Sequence, residues 1–409
     1  MGERTEPEIR ILESEDELRQ ASALFRTAMV GLPSWPEVPG GTVNRYLEAG
    51  RTWGAFLDGM LVGTVDATSG KLTLPGGVRV PHAAVTHIGV LPTHTRRGVI
   101  SGLVHRQLSD ARDRGEILAT LRASEATIYG RFGYGVASTS VSVDVDVRRA
   151  SLRPGLPESG PVRLSSYPDA WDLLAQIHSR HLPSRPGMID RSEYWWNSRK
   201  WRAASLTDPM YVAVHGEPGH EDGFVRYHPV DTHEWFTSRN RTVVVDDFFA
   251  PSPEAHAGLT RFLLGLDLVD RLRFTALPED DPLPLMLGDA RAVQIRSVSD
   301  ETWLRILDLD RVLAARTYRG SGSVKVEVTD TLLTDNSGTF EISAAGAART
   351  SGPADLSLDV ADLGALLLGG TGWHRMIAAG RVRVHRADAP DIADLLFSWP
   401  CAPFAGTSF

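Results

Sequence analysis

The sequence predicts a mixed α/β protein of two or three domains, and three observations lead there. The chain has 409 residues, more than one ordinary hydrophobic core organises. Short apolar or alternating runs bounded by Gly and Pro interleave with amphipathic helical patterns, the order expected of sheets covered by helices. One strand–loop–helix unit also occurs twice, near Pro92 and near Pro251.

Taken in order, Ile9 and Ile11 mark a short strand, and Leu18, Ala21, Leu24 and Phe25 recur at helical spacing. Strands follow at 53–56 and 61–65, with a turn at Pro75-Gly76-Gly77. Residues 117–121 read as a further strand, and 141–147 alternate strictly. These elements make a first domain over 1–150. The stretch from Arg153 to Pro161 is turn chemistry throughout and reads as a linker. A second domain over 161–290 contains the apolar run 243–250, then Pro251, a loop, Gly258 and a helical pattern through Leu259, Phe262, Leu263 and Leu266. A third, over 291–409, shows a helical pattern at Trp303, Ile306 and Leu307 continuing to Val312, Leu313 and Ala314. Strands at 324–328 and 339–342 and a leucine-rich helix at 363–368 follow.

The first strand–loop–helix unit carries the chemistry. An apolar strand ends at Pro92, a polar loop holds Arg96, Arg97 and Gly98, and a helix follows through Ile100, Leu103, Val104 and Leu108. A helix N-terminus offers unpaired N–H groups and the positive end of the macrodipole, and glycine lets a ligand approach the backbone. Two arginines there suit a diphosphate; the plain alternative is a surface loop with two solvated arginines. The three-glycine dinucleotide fingerprint and the Gly-Lys-Ser/Thr phosphate loop are both absent. The second unit has no arginine in its loop and carries Glu254 instead, so cofactor binding is expected in the first unit alone.

Composition narrows the classes. A net charge of −8 argues against nucleic acid as main partner, and a mildly acidic surface favours a cationic small molecule. The single cysteine, Cys401, forbids an intrachain disulfide or a multi-thiolate metal site. No signal region and no membrane-length apolar run is seen, so the expectation is a cytoplasmic protein with no membrane partner and no metal. The histidines His215, His220, His228 and His233 match no zinc spacing and read as surface residues. Tyr194-Trp195-Trp196 is either a stacking platform or core or interface packing. There is no Gly-x-Ser-x-Gly elbow for a serine hydrolase.

The second informative stretch runs from Arg122 to Gly135, with glycines at Gly130, Gly133 and Gly135 fixing the path of Tyr129, Phe132 and Tyr134. Either it is an aromatic plug of the core, or Tyr129 donates a proton to a departing thiolate. The 92–98 loop resembles the pyrophosphate loop of GNAT acetyltransferases, with Thr95 where Gln or Arg is usual. Together with Ala123-Ser124-Glu125, the Ile128–Gly135 run, Asp281-Pro282-Leu283-Pro284 and Ala354-Asp355-Leu356, it resembles the Eis (enhanced intracellular survival) family over nearly the whole chain.

That resemblance implies tandem GNAT domains, the second degenerate, and a third domain like sterol carrier proteins. It implies acetyl-CoA as cosubstrate, held by Ile88, Gly89, Val90, Arg96, Arg97, Gly98, Val99, Ile100, Ser101, Ser124 and Glu125. It further implies Tyr129 as general acid, the carboxylate of Phe409 as general base, and Phe25, Trp35 and His87 as acceptor-pocket walls. A terminal carboxylate has a pKa of ~3.5 and needs desolvation or a relay to deprotonate an ammonium. His87 stands where an aromatic wall is expected, and Ser408 stands where aminoglycoside-acetylating members carry an acidic residue. The expected activity is acetylation of a small cationic amine, polyamine- or aminoglycoside-like, by a homohexamer. Protein lysine acetylation, or a lipid carrier with a vestigial first domain, is the rival.

Overall fold

The computed structural model describes residues 6–32, 40–182, 185–204 and 208–409. The chain forms two compact units. The first comprises residues 1–138, 184–198 and 301–409, and the second 139–183 and 199–300.

In chain order, the N-terminal part contains β1 (Glu8–Ile11), α1 (Glu15–Ala28), β2 (Trp53–Leu57), β3 (Met60–Thr73), β4 (Arg79–Val90), α2 (Val99–Asp113), β5 (Leu118–Leu121), α3 (Ala126–Tyr129) and β6 (Tyr134–Asp146). Ser14 starts α1 with a capping box, exchanging bonds with Glu17. Strands β1 to β4 pair antiparallel in sequence order. Helix α2 then returns the chain, and β5 pairs parallel with β4 at His82–Ala84 only. Toward Val90, β4 therefore keeps β3 on one side, while its register with β5 has already ended. Val99, Leu103, Val104, Leu108 and Ala111 of α2 are buried against this sheet.

The middle of the chain supplies β7 (Val162–Ser165), α4 (Trp171–Arg180), α5 (Glu193–Ala204), β8 (Tyr211–His215), β9 (Gly223–Pro229), β10 (Thr242–Phe249), α6 (Pro253–Leu264), β11 (Arg271–Leu277), α7 (Leu283–Met286) and β12 (Val293–Ile306). In the second unit β7, β8, β9 and β10 pair antiparallel, α6 returns the chain, and β11 pairs parallel with β10 at Thr242–Val245. This is the topology of the first sheet again, down to a parallel pair that ends part-way along the strand.

The C-terminal part contains α8 (Leu309–Ala315), β13 (Ser323–Thr329), β14 (Gly338–Ser343), β15 (Gly346–Thr350), β16 (Leu356–Asp359), α9 (Val360–Leu366), α10 (Trp373–Ala378), β17 (Val382–Val384) and α11 (Ala389–Phe397). Its five strands run in the order β15-β14-β13-β16-β17. Their core is continuous with Leu72, Leu74, Val80, Ile117 and Leu118 of the N-terminal part. The C-terminal part is thus packed onto the first sheet within one unit.

Two sequence expectations need correction. Trp303 to Ile306 is strand, paired antiparallel with Leu118–Leu121. All six residues from Glu301 to Ile306 are buried, and a strand covered on both faces loses the alternation that distinguishes it from helix. His215 is buried, its Nδ1 bonded to Asp222 at 2.5 Å.

The glycines of the 130–135 run have separate causes. Gly133 has φ +80, and a Cβ there would meet the Arg305 guanidinium. Arg305 is itself fully buried and paired with Asp330 at 2.7 Å. At Gly135 a Cβ would lie 1.9 Å from the Ala361 carbonyl oxygen, so α9 touches β6 backbone to backbone. Gly135→Val should therefore cost roughly 3 kcal/mol or more of stability, whereas Gly130→Ala, which faces open space in helical backbone, should change it by less than about 0.5 kcal/mol. Urea unfolding of the two variants reads the difference. Equal midpoints would contradict this contact.

Candidate active site

The loop after β4 is shaped by its backbone. Leu91 N donates to Val62 O at 2.9 Å and His94 N to Leu91 O at 2.8 Å, closing a turn at Pro92–His94. Arg96 and Gly98 both lie in the left-handed region, at φ +62 and +84. Gly98 is the N-cap of α2, and no side chain caps the helix. The N–H groups of Val99, Ile100 and Ser101 thus lack the partner that a Ser or Asp cap would provide. Arg96 and Arg97 are exposed, and neither has a hydrogen-bond or ion-pair partner among the described residues.

Glycines also set this helix close to the sheet. A Cβ on Gly63 would lie 2.6 Å from Val99 Cγ1, and one on Gly102 would lie 2.4 Å from Ile9 Cδ1. On the other side of β4, a Cβ on Gly89 would meet Ala28 and Phe25 of α1 at 3.1 and 3.3 Å. The backbone of Ile88, Gly89 and Val90 leads from the loop toward His87, whose ring meets the Phe25 ring edge-on with centroids 4.9 Å apart. Trp35 lies outside the described residues.

The corresponding helix of the second unit is built otherwise. Ser252 caps α6, accepting from Ala255 N at 3.1 Å, and Ser252 Oγ donates to Asp222 at 3.4 Å. One N–H of that N-terminus is already capped, and a carboxylate stands beside the cap, which disfavours an anion.

Tyr129 ends α3 and is buried, meeting Tyr134 edge-on at 6.1 Å. Burial raises its phenol above the ordinary 10.0, with the charge of Glu125 adding to the rise and a hydrogen bond with Ser124 opposing it. Ser124 and Glu125 themselves are exposed. A phenol so placed is neutral at physiological pH and available as a proton donor.

The chain reaches this part of the unit again at residues 401–409, through contacts that sequence reasoning missed. Glu301, 5% exposed, accepts from Ala405 N at 2.9 Å, from Gly406 N at 3.3 Å, from Ser138 Oγ at 2.7 Å and from Arg122 Nη2 at 3.2 Å. Arg122, directly after β5, also donates to Thr407 O at 2.5 Å, and its guanidinium lies 5.8 Å from the Phe409 ring. From the other side Arg191 donates to Gly406 O (2.7 Å) and Thr407 Oγ1 (3.2 Å), and Trp195 Nε1 donates to Ser408 O (2.7 Å). Arg191 stacks over Trp195 at 4.5 Å. Of the Tyr194-Trp195-Trp196 run, Trp195 is thus a platform for an arginine and an anchor for the tail. One carboxylate, two guanidiniums and an indole fix five consecutive residues up to Phe409.

Residues 8–137 match an acetyltransferase (GNAT) domain family, residues 187–306 match a second, and residues 309–406 match a sterol carrier protein domain. The N-acetyltransferase Eis of Mycobacterium tuberculosis is 33% identical over 347 residues, covering 80% of this chain and 81% of that protein. The chain belongs to the Eis family of N-acetyltransferases. An N-acetyltransferase of Streptomyces griseus is 35% identical over 401 residues, 94% of either chain. The crystal structure of Eis1 from Mycobacterium abscessus superposes with a TM-score of 0.91 at 46% identity, covering 98% of this chain and all of that one. A GCN5-related N-acetyltransferase from Anabaena variabilis shares the fold at 19% identity and TM-score 0.82. The protein is an Eis-type N-acetyltransferase with tandem GNAT domains, a domain class that uses acetyl-CoA, followed by a sterol-carrier-type domain. Among the described residues no helix is long and apolar enough to cross a membrane and no cluster could hold a metal ion.

If Glu301 holds the tail, Glu301→Gln weakens both amide bonds and leaves Arg122 short of its partner. Hydrogen exchange of peptides covering 401–409 should then speed up by roughly 10-fold or more, the loss of a charge-assisted bond, while peptides from β7–β11 stay unchanged. Unaltered exchange in the tail would contradict the clamp.

Proposed function

We propose that the chain transfers acetyl from acetyl-CoA to the amine of a small cationic acceptor, polyamine- or aminoglycoside-like, by direct attack in its first domain. The observation that carries this reading is the contrast between two helix N-termini of identical topology. The one after Gly98 is uncapped and flanked by two arginines with no partner among the described residues, and the one after Ser252 is capped and flanked by Asp222.

In this reading the N–H groups of Val99, Ile100 and Ser101, with Arg96, Arg97 and Gly98, hold the diphosphate. The β4 backbone at Ile88, Gly89 and Val90 aligns the pantetheine arm as an added strand on the edge where pairing with β5 has ended. Ser124 and Glu125 border its far end. Phe25 and His87 wall the acceptor. Tyr129 protonates the departing sulfur, and the Phe409 carboxylate draws off the acceptor's proton with the help of a relay. A carboxylate at this place also attracts a cation, which favours polyamines and aminoglycosides over neutral amines. Assembly as a homohexamer in the cytoplasm belongs to the same proposal; sedimentation reads the first.

The lipid-carrier alternative has less support. The interior of the third domain is occupied by its own side chains, with Trp373, Phe340 and Phe397 all buried.

Turnover of acetyl-CoA with spermidine, kanamycin and a lysine peptide tests the reading. Tyr129→Phe should lower kcat by about 10²–10⁴ with little change in acetyl-CoA affinity. Because burial raises the phenol above its ordinary 10.0, any loss of wild-type activity through this group should have its midpoint above pH 10. Adding residues after Phe409 should abolish turnover, and turnover that survives the extension would remove the carboxylate from the mechanism. Absence of both acetyl-CoA binding and turnover would overturn the whole reading.

A further inference from the structure

The geometry points to His87 as the group that takes the acceptor amine's proton, with Asp66 holding its ring. This rests on the acetyl-transfer reading above and changes one assignment within it: the base is His87 in place of the Phe409 carboxylate.

The β3–β4 register places Thr64 opposite Gly89 but Asp66 opposite Thr86. His87 and Ile88 therefore stand opposite Val65 alone, a β-bulge that re-aims a side chain. His87 occupies the left-handed region at φ +51, uncommon for a residue with a side chain. Bulge and strain together turn the imidazole toward Asp66, whose Oδ2 lies 3.4 Å from Nδ1. Asp66 is 2% exposed, and a buried carboxylate needs partners. Thr52 Oγ1 donates to it at 3.0 Å, and His87 is the second partner.

Across the ring, α1 presents the apolar edge of Phe25. Among the described residues no other charged side chain pairs with the ring. Nδ1 is the ring nitrogen near Asp66, at 3.4 Å, and Nε2 has no partner among the described residues, so a candidate base and a carboxylate beside its ring are both present. The ring is 30% exposed, so a substrate can reach it. It also adjoins Ile88–Val90, four residues or about 13 Å along the strand from the loop end at Leu91.

A packing wall explains none of this. A phenylalanine would serve as a wall without the buried Asp66. Chemistry also separates the two candidate bases. Imidazole has an ordinary pKa about three units above a chain-terminal carboxylate, roughly a 10³-fold easier acceptance of a proton from an ammonium. His87 takes one proton from R–NH3+ and releases it to solvent. The freed lone pair forms the C–N bond, and the C–S bond breaks with its electrons going to sulfur. Tyr129 protonates the sulfur and recovers a proton from the new amide nitrogen. The Phe409 carboxylate is left to attract the cation.

The test uses the full-length protein and pH profiles of kcat/KM with spermidine, kanamycin and the lysine peptide. His87→Gln should reduce kcat/KM at neutral pH by about 100-fold or more and erase the acid limb, while calorimetry shows acetyl-CoA binding unchanged. Free imidazole should restore part of the rate in His87→Ala and none in His87→Phe, which fills the same space. Asp66→Asn should lower kcat/KM in the same direction as His87→Gln, because the carboxylate that holds the ring is lost. A His87→Gln enzyme with wild-type kcat/KM, or one that is slower but keeps the wild-type acid limb, overturns the assignment. Wild-type protein that neither binds acetyl-CoA nor acetylates any of the amines overturns the acetyl-transfer reading first.

Discussion

The buried carboxylate of Glu301 is the point on which the site depends. It lies at the start of a stretch covered on both faces, where an unpaired charge would cost several kcal/mol. It is therefore obliged to gather donors, and it gathers Ser138, Arg122 and two amides of the final segment. The same requirement that keeps Glu301 stable in the interior brings the last residues of the chain beside the strand end that leads to Tyr129. Arg122 extends the network to Thr407, and Arg191 and Trp195 close it from the opposite side. The Arg122–Tyr129 segment and the last residues of a 409-residue chain thus belong to one compact unit, with a single desolvated charge holding partners from both parts.

The third domain contributes structure to this site. Its helix α9 meets β6 at Gly135 and β12 at Gly364, where the Leu304 carbonyl oxygen stands 2.9 Å from the Cβ position. Backbones that close leave no room for adjustment, so the Tyr129 segment is held by the fold of the third domain as much as by its own. The two helix termini, in turn, show how one topology is turned toward or away from an anion. Replacing a glycine cap by serine satisfies one helix N–H internally, and a nearby carboxylate adds negative charge beside the rest.

Much of this was legible in the sequence. Glycine, proline and periodicity located the elements of the first sheet and the repeated strand–loop–helix unit, because turn chemistry and amphipathic spacing are local; the irregular stretch 153–161, read as a linker, lies inside the second unit. The strand at Trp303–Ile306 was not, since burial on both faces removes its period. Arg96, Arg97, Gly98 and Tyr129 stood out through their neighbours in sequence. Glu301, Arg191 and Asp66 did not: their hydrogen-bond partners lie 14 to 216 residues away, and no local pattern announces such a contact. The four histidines were read as exposed because their spacing excluded a metal, but spacing does not report burial, and His215 is interior.

A crystal structure of the protein with acetyl-CoA tests the central claim, that the cosubstrate and the clamped tail meet at one site in the first unit. The account predicts the diphosphate on the N–H groups after Gly98, between Arg96 and Arg97, with the acyl end within hydrogen-bonding reach of the Tyr129 hydroxyl and the 405–409 segment still held by Glu301. A diphosphate at Ser252, or a bound cosubstrate whose acyl group lies away from both Tyr129 and the tail, would contradict it.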